Sequence, residues 1–149
     1  MLFFIAFFVS VSFLQPQTLR AQDTTTGNTA TTRDNFTTAI ETTYEVGAQS
    51  ETSETKVTHQ IRITNKTPTV YLKQYALTTS NPRLKNITVR SGNQVIDTNN
   101  VHTSQGTTIG ITFPDDVVGQ GKVREFFIEY QDPDVANSAG SVLEVHIPK

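Results

Sequence analysis

Cysteine is absent from this chain of 149 residues. That absence excludes thiol nucleophiles, thiolate metal centres and disulfide staples. Length compensates, because a chain of more than about 100 residues buries enough surface to fold without cross-links. A basic excess is also missing. Lys and Arg number 12 against 14 Asp and Glu, so there is no basic patch of the kind that neutralises phosphates, which argues against nucleic acid as a partner. No Gly-x-Ser-x-Gly elbow, Walker pattern or His-Glu-x-x-His pair occurs, which leaves catalysis without a motif and implies no cofactor. A membrane-length apolar run is missing too. Met1–Leu14, MLFFIAFFVSVSFL, falls short of the roughly 20 residues a spanning helix needs.

That run has the length of a secretory h-region. It meets Gln15-Pro16-Gln17, and Ala21 supplies a small residue at a cleavage point before Gln22. Residues 1–21 therefore read as a signal peptide, with an uncleaved anchor as the alternative and as the only route to membrane contact. Against cleavage stand the lack of a basic residue before the run and the bulk of Leu19. Removal would leave 11 basic against 14 acidic residues, because Arg20 is lost. Residues 22–35 are threonine-dominated and without apolar periodicity, the composition of a flexible linker. An O-glycosylated stalk is the second reading of the same composition.

The folded part is expected over residues 36–149. Phe36, Thr38, Ile40, Thr42, Tyr44 and Val46 fall on one parity, and Val57, His59, Ile61 and Ile63 do so in a second run. Alternation of period two buries one side of a strand and wets the other. The short polar break Gly47–Glu54 predicts that the two are antiparallel neighbours. Further strands are expected over Thr69–Leu77, Leu84–Arg90, Gln94–Asp97, Thr107–Phe113, Val123–Tyr130 and Ser141–Ile147. Thr69–Leu77 carries apolar residues on both faces, which reads as a central strand. The break Ser91-Gly92-Asn93 predicts a hairpin. Thr98–Gly106 reads as a loop, and Asp132–Gly140 as one helical turn with Asp132 as cap and Pro133 at the first position. In the last strand Leu143, Val145 and Ile147 are expected to face inward. Short strands at this spacing, with no long helix, indicate an all-β, antiparallel, seven- to eight-stranded two-sheet sandwich of immunoglobulin or fibronectin-III type, with a small barrel as the alternative.

Few residues offer chemistry. His59, His102 and His146 would suffice for zinc, but they fall on an inward strand parity, a polar loop and an outward parity. Asp115-Asp116 and Asp132-Pro133-Asp134 are oxygen clusters of the kind calcium uses, and turn and capping roles explain both equally well. Asn35, Asn65 and Asn86 head Asn-x-Thr triplets, about what chance yields at this threonine content. Tyr44, Tyr71, Tyr75 and Tyr130 are the rings available for stacking on a ligand, with Tyr71 and Tyr75 the candidate ligand-binding pair. An exposed coplanar row would favour sugar binding; burial would favour a spacer.

The fragments VTHQIRITN (Val57–Asn65), YLKQYAL (Tyr71–Leu77), FPDDVVGQGK (Phe113–Lys122), FFIEY (Phe126–Tyr130) and LEVHIPK (Leu143–Lys149) occur in this order. Together they resemble the N-terminal β-domain of exported bacterial proteins carrying a transglutaminase-like domain. More distantly, they are similar to the N-terminal β-region of ribophorin-type proteins. The resemblance covers residues 36–149 and implies that thiol chemistry belongs to a downstream Cys-His-Asp domain, so no catalytic residue is carried over. The expected function is thus an exported, non-enzymatic accessory or spacer module at the cell envelope. It would bind a protein or envelope surface of unspecified identity, as the N-terminal part of a larger transglutaminase-like protein. The alternative is a small carbohydrate-binding or adhesion domain.

Overall fold

Strand pairing follows the hydrophobic alternation almost residue for residue. In the computed structural model, which describes residues 9–11, 35–46, 55–139 and 142–146, β2 (Phe36–Val46) and β3 (Thr55–Asn65) pair antiparallel along their full length. Phe36 stands opposite Asn65 and Val46 opposite Thr55. The register places the two inward parities on one face, as burial of both apolar sets requires. Residues 22–34 of the expected linker (22–35), most of the expected leader and the Gly47–Glu54 break lie outside the described residues. Within the stretch expected to be a leader, β1 (Val9–Val11) forms a three-residue strand antiparallel to Thr42–Tyr44.

The other strands are β4 (Gln74–Thr79), β5 (Lys85–Ser91), β6 (Gln94–Ile96), β7 (Thr98–Thr103), β8 (Gly106–Thr112), β9 (Val123–Asp132), β10 (Ala136–Ala139) and β11 (Val142–Val145). One sheet has the order β1-β2-β3-β9-β5-β6, and the sheet facing it has the order β4-β8-β7. Neighbouring strands are antiparallel throughout. The chain is an all-β two-sheet sandwich, and no α-helix occurs among the described residues.

Side chains from both sheets fill the space between them. Val57, Ile61, Ile63, Val89, Phe126 and Ile128 come from one side, and Tyr75, Leu77, Ile109, Ile111 and Phe113 from the other. Each such burial contributes on the order of 1.5–3 kcal/mol. Phe126 meets Tyr75 edge-on at 5.2 Å between ring centroids and Phe113 at 5.1 Å. The opposite face of the larger sheet is polar. There Glu129 pairs with Lys56 (3.7 Å) and Arg90, and Glu125 lies 3.7 Å from Arg62.

Several local expectations change. The third strand begins at Gln74, five residues late, and is an edge strand rather than a central one. The apolar residues that made it look two-faced belong to the preceding loop, where Leu72 is buried and Tyr71 exposed. Thr98–Thr103 is a strand, not a loop. Its side chains are mostly exposed, so its pairing with β8 leaves no apolar alternation to read. The expected helical turn after Asp132 is instead a bend into the β10–β11 hairpin. Asp132 Oδ1 accepts the backbone N–H of Asp134 at 2.9 Å, so the capping chemistry closes a tight turn and no helix follows. Val145 is 42% exposed, against the expectation that it faces inward, because β11 pairs only with β10 outside the two main sheets. Leu143 lies on β11 but its side chain, like Ile147, lies outside what is described. The hairpin at Gly92-Asn93 is present, with Ser91 opposite Gln94 and Gly92 at φ +58°.

Two substitutions test the packing. Ile61 is fully buried, whereas its neighbour Gln60 sits on the polar face beside Glu125. Ile61→Ala is expected to cost about 2–5 kcal/mol and Gln60→Ala within about 0.5 kcal/mol, read as urea denaturation midpoints; equal losses would mean that both faces are covered. Gly106 opens β8 at φ +151°, and a Cβ there would lie 1.9 Å from the Thr79 carbonyl oxygen. Gly106→Ala is therefore expected to lose more than about 2 kcal/mol, and an unchanged melting temperature would contradict this backbone path.

Candidate functional site

The four tyrosines do not form a surface. Tyr75 is 3% exposed and packs on Phe126, and burial pushes its hydroxyl up to about 12. Tyr130 is buried on the inner face of β9, and Tyr44 is half-buried on β2. Tyr71 alone is exposed, at 39%, in the loop before β4. The candidate pair Tyr71 and Tyr75 is thus split between surface and core, although the two share a parity.

Polar groups gather instead where β2, β3 and β9 run side by side. The registers set Thr42 opposite His59 and His59 opposite Ile128, with Tyr130 two residues on. Thr42 Oγ1 lies 2.8 Å from His59 Nδ1, and His59 Nε2 lies 2.8 Å from the Tyr130 hydroxyl. A neutral imidazole satisfies both contacts, donating from one nitrogen and accepting at the other. Burial lowers the His59 pKa to about 4, so the ring is uncharged at neutral pH. Burial is likewise the main cause that raises the Tyr44 and Tyr130 hydroxyls, with the charge of Asp132 adding to both. Two raised phenols and a histidine with so low a pKa make poor acid–base catalysts near pH 7. The arrangement satisfies buried polarity at the margin of the core. A histidine on an apolar parity was the sequence signal; its partners required the register.

At the end of β9, Asp132 is 7% exposed. Asn81 Nδ2 donates to its Oδ1 at 2.6 Å, and Arg83 pairs with Asp134. Ser80, Asn81, Asp132, Asp134, Val135 and His146 line an open cavity of about 200 Å³ here. At the opposite end Arg124, 5% exposed, lies over the Phe113 ring at 4.2 Å. Its guanidinium donates to the Asp115 carboxylate (3.1 Å) and carbonyl (2.7 Å), and this bond is the main cause that holds the Asp115 carboxyl below the usual range. Lys73 reaches Asp116 at 3.2 Å. Each acidic cluster therefore already has protein partners.

The three histidines have separate partners. His102 contacts Thr107 Oγ1 at 3.0 Å from β7, and His146 lies 3.3 Å from Glu144. No group of three or more His, Asp or Glu able to hold a metal occurs among the described residues. Asn65 is 3% exposed and its amide donates to the Val70 carbonyl, so one of the three Asn-x-Thr triplets has its acceptor nitrogen inside the fold.

Fold and contacts together define an all-β two-sheet sandwich in which Tyr75, Tyr130, His59 and Arg124 serve its own packing. Comparison with protein-family models, curated proteins and solved structures returns no match for this chain.

The buried imidazole gives stability a pH dependence. The unfolded chain binds this proton near pH 6.5 and the folded chain only near pH 4, so the contribution is complete above pH 6.5 and is lost as pH falls from there towards 4. Between pH 7 and pH 5 the loss is expected to be about 2 kcal/mol. His59→Gln, which keeps hydrogen-bonding capacity without titrating, should remove most of that difference between urea curves at the two pH values. A variant curve as pH-dependent as the parent's would assign the effect to other groups.

Proposed function

We propose that this chain is a non-catalytic β-sandwich module of an exported protein, acting as an accessory or spacer domain at the cell envelope. In this reading it is the N-terminal part of a larger transglutaminase-like protein, and the chemistry belongs to a domain downstream. It would contact a protein or envelope surface and carry no cofactor of its own.

The observation that supports the reading is the internal use of the aromatic rings. Tyr75 and Tyr130 are 3% and 6% exposed and bonded or packed within the sandwich. A sugar platform needs ring faces presented together to solvent, and only Tyr71 is open here. The resemblance of Val57–Asn65, Phe113–Lys122 and Leu143–Lys149 to the N-terminal domains described above supports the placement beside a catalytic partner.

The genomic reading frame beyond Lys149 tests this directly. A continuation encoding a Cys-His-Asp transglutaminase-like domain is expected, and a stop codon at that point would sink the multidomain reading. N-terminal sequencing of exported material is expected to begin at Gln22; a chain retaining Met1 would favour an anchored form. Tyr71→Ala is expected to leave binding to envelope polysaccharides unchanged in a pull-down, whereas a large loss would favour the carbohydrate-binding alternative.

A further inference from the structure

Among the described residues, the outer edge of β2 is the longest; β1 covers only Thr42–Tyr44 of it, and its only charges are Glu41 and Glu45. β2 has 11 residues, against three in β6 and six each in β4 and β7. Its sequence, FTTAIETTYEV, contains no lysine, arginine or proline, residues that blunt an edge against pairing. What the edge accepts is visible in β1, an antiparallel strand with Val9 opposite Tyr44 and Val11 opposite Thr42. The inner face is also unfinished here, since Phe36, Ile40 and Tyr44 are only partly buried against the core.

We propose that the chain freed of residues 1–21 pairs with a second copy of itself, β2 against β2, antiparallel about a two-fold axis at Thr42. The leader reading enters only in deciding when the edge is vacated by β1. Charge and the seat of β1 together select the register: charge alone also admits centring on Ile40, which sets Glu41 opposite Ala39, but the neighbour already seated on this edge lies over Thr42–Tyr44. Among pairings that keep both inner faces on one side, centring on Glu41 sets Glu41 against itself, and centring on Thr43 sets Glu41 against Glu45. Like charges directly opposite are destabilising. Centring on Tyr44 engages only the end of the strand. Centring on Thr42, which lies at one end of the stretch where β1 is seated, sets Glu41 opposite Thr43, Ile40 opposite Tyr44 and Thr38 opposite Val46. Apolar inner residues then meet and the carboxylates are separated. Because the interface is isologous, every contact off the axis occurs twice.

Sedimentation velocity on a dilution series of the chain made from Gln22 tests the proposal, independently of whether export removes the leader. A reversible, concentration-dependent dimer is expected. Thr43→Glu places a carboxylate opposite the partner subunit's Glu41 at both ends and should weaken dimerisation roughly tenfold. Thr43→Lys places an ammonium there and should hold or tighten it. Adding Glu41→Lys to Thr43→Glu should restore dimerisation. Thr43 lies on the partly exposed polar face of β2, so urea midpoints close to the parent's are expected for all variants and show that they fold. A monomer at every concentration overturns the proposal. So does a dimer indifferent to both Thr43 substitutions, as centring on Ile40 would give by setting Thr43 against Thr37, or one weakened equally by both.

Discussion

The sandwich depends on Phe126. Its ring stands on the larger sheet and meets two rings tied to the smaller one, Tyr75 on β4 and Phe113 just beyond β8, both edge-on. Edge-to-face pairs add about 0.5–1.5 kcal/mol to the area they bury, and here they also fix how the sheets sit over each other. β9 is central in its sheet, flanked by β3 and β5. A ring anchored there transmits position to both neighbours through their ladders. Tyr75 is consequently unavailable as a ligand platform, because its ring is one of the two surfaces against which Phe126 is set.

Polarity at the edges of this apolar centre is handled by local pairing. His59, on the inward parity, stays neutral and bridges Thr42 to Tyr130. Arg124, also inward, covers Phe113 with its guanidinium and turns its donors on Asp115. Asp132, at the other end of β9, is met by Asn81 and by its own turn. Each of these groups is bonded to a neighbouring strand or loop, which ties the margins of the sandwich to its core.

Strand parity was legible wherever one face of a strand is dry. Thr107, Ile109, Ile111 and Phe113 are all buried, as their alternation predicts, and so are Phe126, Ile128 and Tyr130. β7 was illegible because an edge strand wetted on nearly all its side chains is paired through its backbone, which is the same for every sequence. The turn at Asp132 departs from the expected helix because one carboxylate can cap a helix or close a bend, and its further partner, Asn81, lies 51 residues away in sequence. Arg124 shows the same limit. Its charge on a core parity looks like an error until Phe113 and Asp115 are placed beside it. The Thr42–His59–Tyr130 contacts needed two registers at once, and periodicity supplies neither.

The sheets are unequal, and this determines where interaction is to be sought. The strands β4, β8 and β7 face a sheet that extends further, through β2 on one side and β6 on the other. Val57, Ile61 and Ile63 on β3 are almost wholly buried, whereas Phe36, Ile40 and Tyr44, on the next strand and the same face, are only partly so. Apolar cover thus ends between β3 and β2. Half-wet apolar side chains have yet to realise part of the burial free energy that the core has gained, and among the described residues they lie along an 11-residue strand whose outer edge is paired only at Thr42–Tyr44. Among the described residues no other place combines partly buried core side chains with so long an open edge. Partly buried apolar side chains and strand backbone thus come together at β2.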